Sequence, residues 1–152
     1  MTWKQLAALA TAGSFALIVG AYLFQALGYA PCKLCWWQRY PHFVALAIGA
    51  LALSLSHRAL AWLGALAALT TAGIGVYHSG VERGMWEGPT SCTSSSVANL
   101  SADELLDHIM TAPLVRCDDI PWELFGFTMA NLNAILSFGL ALLWIMAARK
   151  AS

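Results

Sequence analysis

Charge is scarce in this chain. Only 11% of its 152 residues are charged and 59% are hydrophobic, whereas an ordinary soluble domain carries about 25% charged residues. That shortage argues against a soluble globule. A basic surplus is missing as well, because Lys+Arg and Asp+Glu both total 8, and a nucleic-acid binder is set aside on that ground. Negative charge is absent from most of the chain. All eight acids (Glu82, Glu87, Asp103, Glu104, Asp107, Asp118, Asp119 and Glu123) fall in one stretch. No internal repeat is evident.

What is present instead is length without charge. A helix needs about 20 mainly apolar residues to cross a bilayer. Residues 5–27 contain no charged side chain over 23 positions. Residues 36–56, 59–80 and 124–148 give three further expected spans. The second is the narrowest case, since its charge-free part, 40–56, has 17 residues. Gly28 and Ala30 are spaced like a signal cleavage site. The first apolar stretch nevertheless exceeds the 7–15 residues of a signal core, and Pro31 would follow the cut, so a retained span is expected.

The expected fold is therefore an all-α membrane protein, a single four-helix transmembrane domain over 1–152 with a long loop at about 81–123. Four spans put both termini on one side. Lys4, Arg58, Arg149 and Lys150 lie on that side, and Lys33, Arg39, Arg83 and Arg116 on the other. Four against four does not orient the chain by the positive-inside rule. The cysteines do better: all four lie on the loop side, and stable disulfides belong in an oxidising compartment. Cytoplasmic termini and periplasmic cysteines follow for a bacterial inner membrane. Within the loop, Ser101 and Glu104 fit a capping box. Leu105, Leu106, Ile109 and Met110 then recur at helical spacing, which predicts a short amphipathic helix over 102–111. It either lies on the membrane surface or covers the tops of the spans.

The chemistry rests on two cysteine pairs. Cys32-Lys33-Leu34-Cys35 is a CxxC, and Cys92 and Cys117 lie 25 positions apart. Zinc sites share the CxxC spacing, but structural zinc commonly uses two close pairs. Here the second pair is widely split, and no metal is expected. Pro31 is at home in the first turn of a helix, so the CxxC opens the second span at the positive end of the helix dipole. Arg39, four residues after Cys35, shares its face. Both the dipole and the cation favour the thiolate, the attacking species in disulfide exchange. Arg39 has a plainer reading as a snorkelling anchor at the interface. His78, near the end of the third span, and Gln25, near the end of the first, are candidate polar contacts for a ligand or simple membrane-edge residues. Trp36, Trp37, Tyr40, Trp86 and Trp122 read as interfacial anchors. Pro41 leaves the Trp37 carbonyl without its helical partner.

The run Cys32-Lys33-Leu34-Cys35-Trp36-Trp37-Gln38-Arg39, the split pair Cys92 and Cys117, and the element Arg116-Cys117-Asp118-Asp119-Ile120-Pro121-Trp122-Glu123-Leu124-Phe125-Gly126 resemble the DsbB family of disulfide bond formation proteins. Met129-Ala130-Asn131-Leu132-Asn133-Ala134 extends the match, which covers nearly the whole chain. The resemblance implies a bound ubiquinone or menaquinone and a soluble, periplasmic thioredoxin-fold dithiol oxidase (DsbA-like) as partner. It implies that Cys92 is attacked by the partner, that Cys117 is its disulfide mate, and that Cys32 exchanges with this loop pair. Cys35 would stand against the quinone with Arg39, and His78 and Gln25 nearby. A vitamin K epoxide reductase-like protein is a rival, but its pairs are expected in different spans and order. A zinc-binding or structural tetraspan protein is the rival outside the enzymes.

Overall fold

The computed structural model describes residues 1–57, 59–92, 101–111 and 115–150. Among these the elements follow in the order α1 (Trp3–Ala26), α2 (Lys33–Ser54), α3 (Leu60–Glu82), α4 (Ala102–Thr111), β1 (Glu123–Leu124), β2 (Phe127–Thr128) and α5 (Met129–Lys150). The turn expected around His57 and Arg58 is only partly described, because Arg58 lies outside these residues.

Three helices, α1, α3 and α5, are long and apolar enough to cross a membrane. α2 is as long, with 22 residues, but it does not reach that apolarity. The cause is visible in its sequence: Gln38, Arg39 and His42 are all buried, so its polar face points into the protein rather than outward. The helix runs unbroken through Pro41.

α1 packs on α2 and α5, and α3 packs on α2 and α5, which closes a four-helix ring. Lys150 Nζ donates to the Met1 carbonyl at 3.2 Å, so the two termini meet at one end. The CxxC, the end of α3 and the hairpin therefore gather at the other. At the terminal end the core is built from small residues: Ala7, Ala10, Ala61, Ala65, Ala68, Ala141 and Ala147 surround a fully buried Trp144. Small side chains let backbones approach closely, the usual packing between helices in lipid. Gly64 is one such approach, since a Cβ there would run into the Trp144 ring. Large apolar residues such as Phe15, Leu63, Leu66, Leu136 and Leu142 point outward instead. An apolar exterior of this extent marks a membrane or interaction surface.

The helix ends are specified locally. Thr2 caps α1 and Gln5 reaches back to the Thr2 N–H at 2.8 Å. Ser101 and Glu104 form the same device before α4: the Ser101 N–H donates to Glu104 at 2.8 Å, and the Glu104 N–H donates to Ser101 Oγ at 3.4 Å. Leu106, Ile109 and Met110 of α4 are exposed.

The helix limits differ from the expected spans by one to five residues at each end, α2 for instance running over Lys33–Ser54 rather than 36–56, and two of these differences bear on the site. The last helix does not begin at 124. Residues 123–128 form a hairpin with the register Glu123↔Thr128 and Leu124↔Phe127. Its tip, Phe125 (φ 50°) and Gly126 (φ 81°), has both turn residues left-handed, as a two-residue hairpin that follows the strand twist demands. A helix cannot pass through such a pair. Thr128 then caps α5, accepting from the Asn131 N–H at 3.2 Å. α3 in turn runs past the expected limit of 80 to Glu82, which keeps His78 and Glu82 on one helix, one turn apart.

Candidate functional site

Cys32 is the N-cap of α2, and its sulfur accepts from the Cys35 N–H at 3.2 Å. Pro31 thus precedes the cap rather than entering the first turn. Cys32 is buried, and Cys35 is partly exposed; the two are unbonded, with sulfurs 3.0 Å apart. Cys92 and Cys117 form a disulfide with Cα atoms 5.3 Å apart. Both pairs belong to one buried cluster with Leu34 and Val81. Lys33 Nζ ties the CxxC turn to this loop by donating to Ser91 Oγ at 2.8 Å. A split pair that looked distant in sequence is therefore packed directly on the CxxC.

Beside the cysteines lies a cavity of about 420 Å³, within the usual range of small-molecule sites. Cys32, Cys35, Arg39, His78 and Glu82 line its polar side, and Phe24, Trp122, Leu132 and Leu136 are among its apolar walls. Phe24 and Trp122 meet edge to face, with centroids 5.2 Å apart.

Arg39 does not snorkel. It is 7% exposed, and its guanidinium donates to Gln25 Oε1 at 2.9 Å and to the Ala21 carbonyl at 3.3 Å. It lies 4.9 Å from the Tyr22 ring centroid and 4.8 Å from that of Trp36. Such contacts contribute about 0.5–2 kcal/mol each. Trp36 therefore holds the cation rather than acting only as an anchor. Gln25 does not line the cavity; it sits behind Arg39. Trp86 is also fixed within the fold, its Nε1 donating to the Tyr77 carbonyl at 2.8 Å.

His78 stands between the two pairs. Its Nε2 is 3.5 Å from Cys32 Sγ and 3.7 Å from Glu82 Oε1, and the Cys117 backbone faces the ring. Glu82 Oε2 accepts from the fully buried Thr128 hydroxyl at 2.6 Å. Gln38, His42 and Glu82 are site residues to which the sequence reading gave no role. The available signal was helical spacing: Gln38 and His42, like His78 and Glu82, are polar pairs four apart in apolar stretches.

Cys32, Cys35 and His78 bring three ligand atoms within 4.8 Å of one another, close enough for a metal ion. Four thiolates around one ion are excluded in this state, because Cys92 and Cys117 are bonded to each other. For a quinone the fit is better. The wall is mainly apolar, a thiol and a guanidinium face it, and the volume suits one ring with part of a tail.

The comparisons with known proteins agree with this geometry. Residues 3–147 match the family described as Disulfide bond formation protein DsbB. A Disulfide bond formation protein B of Albidiferax ferrireducens is 26% identical over 152 aligned residues, which cover 90% of this chain and 84% of that protein. An uncharacterised protein of Rickettsia prowazekii is also 26% identical, over 78% of this chain and 70% of its own length. No solved structure matches. With the family match running nearly from end to end, the chain belongs to the DsbB family of disulfide bond formation proteins.

Proposed function

We propose that this protein is a thiol–quinone oxidoreductase of the bacterial inner membrane, which reoxidises a periplasmic DsbA-like dithiol oxidase and passes the electrons to ubiquinone or menaquinone. The observation that carries this reading is a bonded cysteine pair packed on a free pair that itself lines an apolar cavity together with Arg39. In this reading α2 is the fourth span, the termini are cytoplasmic, and the cysteines are periplasmic.

The relay divides between the pairs. A thiolate of the reduced partner attacks Cys92, and the Cys92–Cys117 bond breaks with its electron pair on Cys117. The partner's second thiol then displaces Cys92, which leaves both loop cysteines reduced. Cys117 attacks Cys32 of an oxidised CxxC, and Cys35 leaves as thiolate. Cys92 next attacks Cys117, which restores the loop disulfide and releases Cys32. The net effect moves two electrons and two protons from the partner to Cys32 and Cys35. A quinone bound in the cavity supplies the two-electron, two-proton acceptor that reoxidises this pair. Cys35 and Arg39 would hold its ring, with His78 nearby and Gln25 steadying Arg39. Each ~30 mV of potential difference between such couples corresponds to ~1.4 kcal/mol, so a strongly oxidising acceptor pulls every earlier exchange.

The test is direct. The purified protein in detergent is given a reduced thioredoxin-fold partner and a quinone, and quinone absorbance is followed. Thiol-dependent quinol formation is expected, and its absence would remove the reading. Stoichiometric zinc without quinone in the purified protein would favour a metal-binding tetraspan instead.

A further inference from the structure

The hydrogen bonds around His78 determine which of its nitrogens carries the proton. Gln38 Nε2 lies 3.3 Å from the Leu34 carbonyl and 2.7 Å from His78 Nδ1. A carbonyl only accepts, so the Gln38 amide must turn its nitrogen toward Leu34. That same nitrogen then donates to His78, and Nδ1 is the acceptor. The ring proton is left on Nε2, where its neighbours are the Cys32 sulfur at 3.5 Å and the Glu82 carboxylate at 3.7 Å. Both are acceptors, and Thr128 holds the carboxylate in place. Independent partners on the two sides of the ring thus select one tautomer.

We propose that Gln38 is a positioning residue that holds His78 as its Nε2–H tautomer, so that the imidazole offers Cys32 a hydrogen-bond donor and denies the cysteine pair a third metal ligand. Two consequences follow. When Cys92 attacks Cys117 in the relay, the Cys32–Cys117 bond breaks and its electron pair goes to Cys32 Sγ. A donor facing that sulfur stabilises the new thiolate by a charge-assisted hydrogen bond. The second consequence concerns metals. Two reduced cysteines and a histidine within 4.8 Å are an attractive site for zinc. A ligating histidine, however, normally donates its other N–H to an acceptor. Here the other nitrogen meets the N–H of Gln38. Ligation through Nε2 would set two donors face to face. The site is thereby kept for thiol chemistry.

The inference rests on the proposed relay for the use it gives the donor, but its readouts involve neither quinone nor partner. They use the full chain with Cys92→Ser and Cys117→Ser, in which Cys32 and Cys35 are the remaining thiols. Nitrogen-15 NMR of labelled histidines, with His78 assigned by its loss in His78→Asn, is expected to show Nε2–H and an unprotonated Nδ1. Gln38→Glu places an acceptor at Nδ1 and is expected to move the proton there. Zinc affinity of the reduced protein should then rise 10–100-fold, the range associated with an outer-shell histidine partner. Gln38→Leu, which only removes the donor, should give a mixture of tautomers and an intermediate affinity. An Nδ1–H signal with Gln38 in place would overturn the proposal. So would zinc binding by the Gln38 protein as tight as by Gln38→Glu. The first readout needs no Gln38 variant to fold.

Discussion

Arg39 donates to Gln25 Oε1 at 2.9 Å, and this bond joins α2 to α1 behind the cavity rather than inside it. The arrangement separates two jobs that the sequence ran together. Arg39 faces the cavity, while Gln25 holds Arg39. Gln25→Leu should therefore weaken quinone use without touching thiol exchange. Leaving a buried charged donor without this acceptor costs about 1–3 kcal/mol, so KM for quinone is expected to rise roughly 5- to 150-fold. The rate at which a reduced partner opens Cys92–Cys117 should stay at the wild-type value. A variant with unchanged KM would show that Gln25 does not position the cation.

Cys92→Ala should abolish oxidation of the partner while leaving quinone bound. In the proposed relay Cys92 is the sulfur that the partner attacks, whereas the cavity does not include it. Stopped-flow oxidation of a reduced DsbA-like protein is the measurement. Wild-type rates in this variant would mean that the order of the relay is wrong.

The packing of the terminal end can be tested apart from the chemistry. A methyl group at Gly64 would meet the Trp144 ring, and overpacking of this kind costs about 1–3 kcal/mol. Gly64→Ala should lower the unfolding midpoint in detergent. Combining it with Trp144→Phe should cost less than the sum of the two single changes, because the residues touch. Simple additivity would show that the contact does not form.

Helix α4 should respond to acid. The Ser101 hydroxyl and N–H both donate to Glu104, and these bonds hold its carboxyl below the usual value near 4.5. A carboxylate with a lowered folded-state pKa contributes stability above its unfolded value and loses it as pH falls through the lowered one. Amide exchange over 102–111 should therefore be slow above about pH 5 and speed up below pH 4.5. Glu104→Gln keeps the capping geometry and should flatten that dependence. If exchange in the wild type were pH-independent after correction for its chemical rate, the cap would not be formed.

How far the sequence reached differs from element to element. The charge-free stretches marked α1, α3 and α5 because hydropathy and length are additive along a chain and need no neighbours. The capping pairs at Thr2 and Ser101 are likewise local, since donor and acceptor lie within one turn. The hairpin at 123–128 is not legible in the sequence. Its signal is a single Phe125-Gly126 dipeptide, and the apolar residues around it also suit a span. α2 was the uncertain span for a reason the structure explains: its polar residues serve the interior, and composition cannot say which way a side chain points.

The sequence alone determined the helical, membrane-like character of the chain, its two cysteine pairs, and through their motifs a family resemblance. Each of these is carried by residues close together in the chain or by composition. Tertiary packing decided the rest. It placed Cys92–Cys117 against Cys32 and Cys35, turned Arg39 inward onto Gln25, and set His78 between the pairs with Gln38 on one side and Glu82 on the other. Apart from His78 and Glu82, one turn apart on α3, those relations join residues at least 14 positions apart, as Gln25 and Arg39 are, and Cys32 and His78 are 46 apart. They depend on how α1, α2 and α3 pack and on which helix faces meet, and one-dimensional spacing does not contain that information.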